Sequence, residues 1–555
     1  MRRLFVIMVA ILASAFAVQA QNTSGLLFNR DIIPASSFLT LSQRESVGTA
    51  RSMGLGGAFT SLGGDMASFG YNPAGFGMYQ RNEISVSLGL GVAQAQNRYY
   101  ANDGTAHDMG TSGSVRVSIN NFGAAFKIYE GSGKFTALNF AVGYNKVADY
   151  NYTMSYEGPA TISSLADAFA DIANRGELVI NENGKICDTN GYFDYEMNPY
   201  YWGTALAYKG GLINRGAKGW YLDEIAGGAN IAQCTSLNSR GSAGEFSFAL
   251  GFNISNIFYF GVSIDIQSIQ RKLSIVYSEY INYEAGTSPD AATYPYVLRN
   301  FEFGQTINMN GAGLGAKFGF VLRPVKGLRI GWALHTPSYY SITYSYSASL
   351  SSVANSIGNN PYGWEVIDGN VYAEEATPTL KDGDEYRWRF TTPTRILTGV
   401  SYTFGQYAVV SADYQFDAYR GLRLKYAPAD PRYTNDTFRN DLKGVHTVRM
   451  GVEVKPLPWL SLRVGGGCKS KVLADRYDMV AFSEPVADRM WYASAGVGLR
   501  LSKVTSIDVA YQYRRNRYSD YNSFYTQLGD TPNASPLYGL DILNHNIALT
   551  FAFRF

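Results

Sequence analysis

The sequence has few charged residues and few long apolar runs. Asp, Glu, Lys and Arg make up 17% of its 555 residues, whereas a soluble domain carries about 25%. Beyond the N-terminal twenty residues we find no run of about 20 apolar residues, which is the length that a membrane-spanning helix needs. These two shortages exclude an ordinary soluble enzyme and a helical membrane protein.

Cysteine and basic clusters are also scarce. Three cysteines are too few for a disulfide-rich scaffold. The sequence leaves open whether Cys187 and Cys234 are bonded, and we expect Cys468 to be a small apolar side chain within a strand. The net charge is +2 without a basic block, so nothing favours nucleic acid as a partner.

Catalytic and metal-binding signatures are absent as well. The four histidines are scattered, and no pair has the spacing of metal ligands. We find no Gly-x-Ser-x-Gly elbow and no Ser/His/Asp cluster. The sequence therefore predicts no metal site, no cofactor and no enzymatic activity.

The N-terminus has the features of an export signal. A basic head, Met1-Arg2-Arg3, precedes an apolar stretch from Leu4 to Val18, and small residues follow at the expected cleavage site. We expect residues 1–20 to be a signal peptide, which places the protein outside the cytoplasm.

The dominant pattern of the remaining chain is an alternation with a period of two. From Glu83 to Val92, for example, every even-numbered residue is Ile, Val or Leu, while the odd-numbered ones are Glu, Ser and Gly. Glycine, alanine and serine dominate the second face, and the aromatic residues gather near strand ends, as in membrane barrels. Short and long connections also alternate. The sequence predicts an all-β fold, a transmembrane antiparallel barrel of about fourteen strands over residues 82–555.

The expected strands and the main insertion can be given by number. The strands are 82–95, 112–128, 134–152, 242–255, 257–283, 300–323, 327–349, 384–404, 406–420, 443–455, 459–473, 488–502, 504–517 and 541–555. The longest connection, 153–241, is expected to be extracellular, with a helix at 163–176 lying on the outside.

The last strand indicates the membrane. Ile547, Leu549, Phe551, Phe553 and Phe555 alternate with small or polar residues, and the sequence stops on Phe555. A terminal aromatic residue on such a strand looks like the signal that outer-membrane barrels present to their assembly machinery. We therefore predict the outer membrane of a Gram-negative bacterium, with its lipid and lipopolysaccharide and the assembly machinery as partners.

The segment before the first strand, residues 21–81, does not alternate and is rich in small residues. It contains Gly-Thr-Ala-Arg-Ser-Met-Gly-Leu-Gly-Gly-Ala-Phe from Gly48 to Phe59, and then Tyr-Asn-Pro-Ala-Gly from Tyr71 to Gly75. Glycines allow a backbone to pack closely. We expect a compact plug, or hatch, inside the lumen.

These two motifs resemble the hatch of the long-chain fatty acid (FadL-type) outer-membrane transporter family, which also includes aromatic-hydrocarbon transporters. The resemblance implies a fourteen-stranded barrel and passive diffusion of hydrophobic molecules. It further implies capture at an extracellular groove, a site near the hatch and exit through a lateral opening at a kinked third strand. The long connection after the third strand departs from the family pattern.

The resemblance selects candidate site residues. The hatch motif is Asn72, Pro73, Ala74 and Gly75, which either takes part in gating or simply seats the plug. A candidate apolar pocket consists of Phe59, Leu62, Met66, Phe69 and Phe76, and the alternative for such residues, which is the more frequent one, is packing of the plug against the wall. Candidate partners for a ligand carboxylate are Lys317, Arg449, Arg463 and Arg500, and the alternative for each is an internal ion pair. Gly143 is the candidate kink of the third strand.

The sequence thus predicts passive uptake of hydrophobic small molecules such as long-chain fatty acids. Two alternatives stay open. One is a haemin-binding receptor, because some relatives carry that label. The other is a surface interaction protein that uses the loop 153–241.

Overall fold

The computed structural model describes most of the chain. The described residues are 23–24, 35–45, 48–101, 104–174, 179–180, 186–187, 202–215, 221–223, 225, 229–283, 296–356, 365–367, 370–376, 387–425, 431–477, 484–528 and 531–555. The expected signal peptide, residues 1–20, lies outside them.

Fourteen strands form a closed antiparallel barrel, as the alternation predicts. They are β1 (Glu83–Tyr100), β2 (Ala106–Glu130), β3 (Phe135–Asp149, continued by Tyr152–Glu157), β4 (Asn230–Ile254), β5 (Phe258–Asn282), β6 (Tyr296–Val325), β7 (Leu328–His335, continued by Tyr339–Ser356), β8 (Arg387–Thr391, continued by Arg395–Phe404), β9 (Ala408–Asp417, continued by Arg423–Lys425), β10 (Val445–Leu457), β11 (Leu460–Lys469), β12 (Ala487–Arg500), β13 (Thr505–Tyr518) and β14 (Leu537–Arg554). The first and last strands close the ring, with Glu83 opposite Arg554.

The two faces of the wall differ as the alternation requires. On β5, Ile264 and Ile266 point outward and are 59% and 53% exposed, whereas Asp265 between them is buried in the lumen at 1%. The same contrast recurs around the ring, so that the outer surface is an apolar band. Such a band, on strands whose backbones are paired over most of the ring, suits a wall that crosses a lipid bilayer.

Tight turns join the strands at one end, which we call the turn end. Ser255 and Asn256, the predicted turn after β4, both have φ of 55°, the conformation that tight hairpins require. None of the described helices combines the length and the apolar character needed to cross a membrane.

At the opposite end the strands are longer than predicted. Strand β4 begins at Asn230 rather than 242, and β3 continues to Glu157, so the insertion after β3 starts later and ends earlier than 153–241. Strands of 25 residues exceed the 9–11 or so that cross a bilayer. Beyond the lipid the outward positions become polar, and the alternation that marks a strand in the sequence is lost.

The N-terminal segment lies inside the barrel. It contains α1 (Ala35–Ser42), α2 (Ala50–Gly54) and two 3₁₀ turns, Met66–Phe69 and Pro73–Met78. The wall accommodates it with glycines, since a Cβ added at Gly261 would lie 2.2 Å from the Pro73 carbonyl carbon. The hatch therefore packs closely against wall positions that are glycine and carry no side chain.

The long insertion also enters the lumen. Its described helices are α3 (Leu165–Ile172) and α4 (Trp202–Lys209). The helix predicted at 163–176 therefore exists, but its expected position on the outside is wrong. Leu165, Phe169 and Ile172 are at most 1% exposed and belong to an apolar core inside the barrel.

The remaining elements are short. They are α5 (Arg432–Asp441), a 3₁₀ turn at Tyr419–Gly421, and the short strands Thr23–Ser24, Val179–Ile180, Ile186–Cys187, Ile213–Arg215, Tyr221–Asp223, Glu365–Ile367, Asn370–Ala376, Tyr521–Asn522, Tyr525–Leu528 and Thr531–Ala534. Cys234 is a free thiol. Cys468 is exposed on the outer face of its strand rather than buried.

Candidate functional site

Asn72 fixes the hatch motif to the barrel wall. Its Oδ1 accepts a hydrogen bond from the Ala74 N–H (3.0 Å) and so caps the 3₁₀ turn that starts at Pro73. Its Nδ2 lies within hydrogen-bonding distance of three carbonyl oxygens, those of Thr60 (2.8 Å), Phe320 (3.2 Å) and Trp332 (3.3 Å). One side chain therefore joins two segments of the hatch to β6 and β7.

A second clamp comes from the wall. Asp413 on β9 accepts hydrogen bonds at Oδ2 from the Phe59 N–H (2.7 Å), the Thr60 N–H (2.8 Å) and the Thr60 hydroxyl (2.6 Å). Within the hatch, Asp65 accepts from the Ala67 N–H (2.8 Å) and the Thr49 hydroxyl (2.7 Å). Three bonds from one wall carboxyl group to two consecutive hatch residues therefore fix the hatch to β9.

The five candidate pocket residues divide into two packed clusters. Phe59 and Leu62 contact Leu55, Tyr71 and other buried residues in one cluster. Met66, Phe69 and Phe76 form the other with small wall residues, and the Phe69 and Phe76 rings are 4.4 Å apart. All five are at most 2% exposed. These five residues therefore pack the hatch against the barrel wall. The cavities described below are lined by other residues.

Two of the four candidate cations are engaged in internal ion pairs. Lys317 contacts Glu245 (2.6 Å) and Asp265 (3.3 Å). Arg463 contacts Glu453 (2.6 Å) and also Asp508. Both residues are therefore part of internal ion pairs and neither is a free cation.

Arg449 and Arg500 are in a different situation. Arg449 donates to the Gln415 amide oxygen (2.6 Å), and its guanidinium carbon lies 5.8 Å from the centre of the Tyr71 ring. It has no carboxylate within 4.0 Å among the described residues. Arg500 is exposed at the turn end and likewise makes no ion pair with a described residue.

Arg51 on α2 carries a charge on the side of the hatch that faces the turn end of the barrel. Burial by itself lowers the pKa of its guanidinium, but the carboxylates of Glu453, Asp65 and Asp508 together outweigh this effect and the net pKa is raised. The Arg51 Nε lies 3.2 Å from a Glu453 carboxylate oxygen. Arg51 therefore stays ionised in the buried site.

The third strand leaves its neighbour halfway along the wall. Strands β2 and β3 pair from Glu130 opposite Ala137 to Asn121 opposite Asn145. Further on, β2 pairs only with β1, and β3 pairs only with β4. Among the described residues this leaves a gap in backbone pairing, between 106–120 of β2 and 146–157 of β3, which we call the lateral gap.

The bend that opens the lateral gap lies beyond Gly143. Gly143 pairs in register with Gly123 on one side and Ser247 on the other. The register shift comes later, where Lys146 and Ala148 face consecutive residues of β4. From there the strand turns inward, so the irregularity lies three to five residues after the candidate kink.

Side chains bridge the lateral gap in place of backbone bonds. Arg116 on β2 lies 2.7 Å from the Asp149 carboxylate and donates to the Asn151 carbonyl (3.0 Å). The Ser112 hydroxyl donates to the Thr153 carbonyl (2.8 Å). Such bridges can open without breaking the sheet.

Two small cavities lie behind the lateral gap. They have volumes of about 50 and 20 Å³, and both are lined by Glu45 and Asp149. Lys469 on β11 lines the larger one, with its ammonium 5.6 Å from the centre of the Tyr419 ring. It has no described ion-pair partner. The alternation that places Arg463 in the lumen places Lys469 there too, so this signal was available in the sequence.

The four histidines are dispersed. His335 is buried and contacts the Tyr71 carbonyl (3.0 Å), while His107 stacks on Tyr99. His446 and His545 face outward and contact Tyr414 and Tyr511. No group of metal ligands occurs in the described part of the chain.

No family model matches this chain, and no curated protein matches it. Among solved structures, the toluene transporter TodX of P. putida is 12% identical with a TM-score of 0.48, over 93% of this chain and 99% of that one. A Pseudomonas aeruginosa FadL homologue is 12% identical with a TM-score of 0.48, over 92% of this chain and 99% of that one. The Ralstonia pickettii toluene transporter TbuX is 14% identical with a TM-score of 0.43, over 93% of this chain and 100% of that one.

Proposed function

We propose that this protein mediates passive uptake of long-chain fatty acids and similar amphiphiles across a bacterial outer membrane, with exit sideways through the lateral gap. The lateral gap is the observation that carries the proposal. The hatch fills the lumen from one end and α3 and α4 fill it from the other. A molecule that enters this barrel has its least obstructed way out through the wall.

The side exit restricts the class of cargo. A ligand released between β2 and β3 enters the apolar band of the membrane, so it must partition into lipid. The space behind the lateral gap is nevertheless polar, since Glu45, Asp149 and Lys469 line it. An apolar chain with one ionised head group satisfies both environments.

Lys469 is the residue to which we assign the carboxylate. Lys317 and Arg463 already have carboxylate partners, whereas the Lys469 ammonium lines a cavity, lies beside the Tyr419 ring and makes no ion pair with a described residue. An ammonium in such surroundings gains most from an incoming anion.

Passage requires movement. Cavities of about 50 and 20 Å³ hold only a few water molecules, and drug-sized ligands occupy about 300 Å³ or more. The described state is therefore closed, and transport needs the third strand, the hatch or the inserted helices to shift.

Uptake of labelled palmitate by cells with and without this chain tests the proposal. We expect uptake to depend on the chain, to fall in Lys469→Gln and to be unchanged in the control Lys471→Gln, whose side chain is half exposed beside Asp475. Equal uptake with and without the chain would overturn the proposal. Haemin supplied as the cargo in a parallel arm tests the receptor alternative, and deletion of the insertion tests the surface-partner alternative.

A further inference from the structure

A cavity larger than those behind the lateral gap lies below the hatch, at the turn end of the barrel. Its volume is about 370 Å³, within the range of small-molecule sites. It is formed by α2 of the hatch and by the turn ends of β10 to β13, with the last residues of β14 at its side. We call it the turn-end vestibule.

The charged side chains of the turn-end vestibule are mainly basic. Those that line it are Arg51, Lys455, Arg463, Arg500, Arg554, Glu453 and Asp508. Five cations against two carboxylates leave a formal excess of three positive charges. Glu83 does not line the vestibule, but its carboxylate lies 2.6 Å from the Arg554 guanidinium. If this charge is included, the excess falls to two.

The carboxylates present are shared among several cations. Glu453 alone contacts Arg51 (3.2 Å), Arg463 (2.6 Å) and Lys455 (3.5 Å). Arg500 lines the same space, is exposed, and makes neither an ion pair nor a side-chain hydrogen bond with a described residue. The vestibule therefore has unused donors that point into an accessible cavity.

We propose that the turn-end vestibule is a binding site for a small multivalent oxyanion, such as a di- or tricarboxylate or a phosphate compound. Guanidinium groups bind carboxylate and phosphate through paired N–H donors, and an excess of two to three charges matches an anion of that valence. This site is separate from the lateral gap, since it shares none of its lining residues with the two cavities there. It opens toward the compartment that the turns face.

Calorimetric titration of the full chain in detergent, at constant ionic strength, tests the site. The probes are citrate and inorganic phosphate in separate arms, which distinguish a carboxylate from a phosphate preference. We expect saturable binding of at least one anion, and Arg500→Gln to weaken it by about tenfold, because the variant loses hydrogen bonds from a charged donor to the anion. The matched control, Arg240→Gln, changes an exposed arginine on β4, a strand outside the vestibule, and should leave binding unchanged.

The Arg500 side chain makes no ion pair or hydrogen bond with a described residue, so its variant should fold and melt as the wild type does. Lys455→Gln provides a second variant and should also weaken binding. Absence of saturable binding of both anions at about 10 mM, where a Kd of 1 mM would be evident, would overturn the proposal. Equal affinities of wild type and Arg500→Gln would overturn it as well.

Discussion

At the scale of single residues, Asn72 combines two structural functions in the hatch. Its carbonyl oxygen caps a 3₁₀ turn, and its amide nitrogen faces carbonyl groups of the hatch and of the wall. Gly319 leaves room for it, because a Cβ there would lie 2.0 Å from the Asn72 Oδ1. The motif is therefore a joint between hatch and wall, which is where a conformational change of the hatch has to begin.

Asn72→Ala should loosen the hatch while leaving the barrel folded. It removes a cap that contributes about 1 kcal/mol, together with the amide donor that faces three carbonyl groups of hatch and wall. We expect amide hydrogen exchange in residues 59–76 to accelerate by about tenfold or more. Asn238→Ala, a change on β4 far along the chain from the hatch motif, serves as the control. Unchanged exchange in Asn72→Ala would show that the motif does not hold the hatch.

Asp413→Asn should have a related but more local effect. The neutral amide keeps the shape of the side chain but weakens three bonds to Phe59 and Thr60, at a cost of about 1–3 kcal/mol. Exchange of the Phe59 and Thr60 amides should rise first, with Asp475→Asn, an exposed pair partner of Lys443, as the control. If these two amides exchange as in the wild type, the Asp413 clamp is not a determinant of hatch stability.

The sequence predicted these residues only in part. Alternation places Lys317, Arg449 and Arg463 on the lumen face, and there the structure has them. It does not reveal their partners, because Glu245 and Lys317 are far apart in the chain and meet only through the barrel register. For the same reason, the contact of Asn72 with Phe320 and Trp332 had no signal in the sequence.

At the scale of elements, α3 acts as a second plug. A wall residue holds its N-terminus, since Glu279 on β5 accepts from the Leu165 N–H (2.8 Å) and from the Ser164 hydroxyl. Glu279 is fully buried. A carboxylate at a helix N-terminus stabilises the helix through its unpaired N–H groups and its dipole.

Glu279→Gln should therefore release the first turn of α3. We expect faster exchange of the amides of residues 164–168 and faster proteolysis of the insertion, with β5 unaffected. The matched control is Glu302→Gln, an exposed glutamate on the neighbouring strand β6 that is paired with Ser278. Equal exchange in both variants would mean that apolar packing alone holds α3.

The sequence correctly predicts that α3 exists, but the predicted position on the outside of the barrel is wrong. Leu165, Phe169 and Ile172 alone define one apolar face, which is typical of a surface helix. Ala166, Ala168 and Ala170 complete the other faces, and a helix that is apolar nearly all round is a buried one. All six of these residues are buried in the structure.

At the scale of the whole molecule, the barrel is filled along its axis and incomplete at its side. Glycine on the lumen face makes room for the hatch, and the aromatic and aliphatic residues on the outer face meet the lipid. The strand number follows from alternation, because successive side chains of a strand point to opposite faces and the lipid requires one of these faces to be apolar. The lateral gap does not, because it arises from a register shift that no residue type marks.

The central claim is that cargo leaves through the lateral gap, and closing that gap tests it most directly. Cysteines replacing Ser112 and Thr153, whose side-chain oxygen and carbonyl oxygen are 2.8 Å apart across the gap, can be cross-linked in a background without the three native cysteines. A matched pair at Ala124 and Val142, where β2 and β3 are already paired and both residues already carry side chains, is the control. We predict that cross-linking the gap abolishes palmitate uptake and that reduction restores it, while the control pair has no effect. Full uptake through a barrel whose gap is cross-linked would contradict the account.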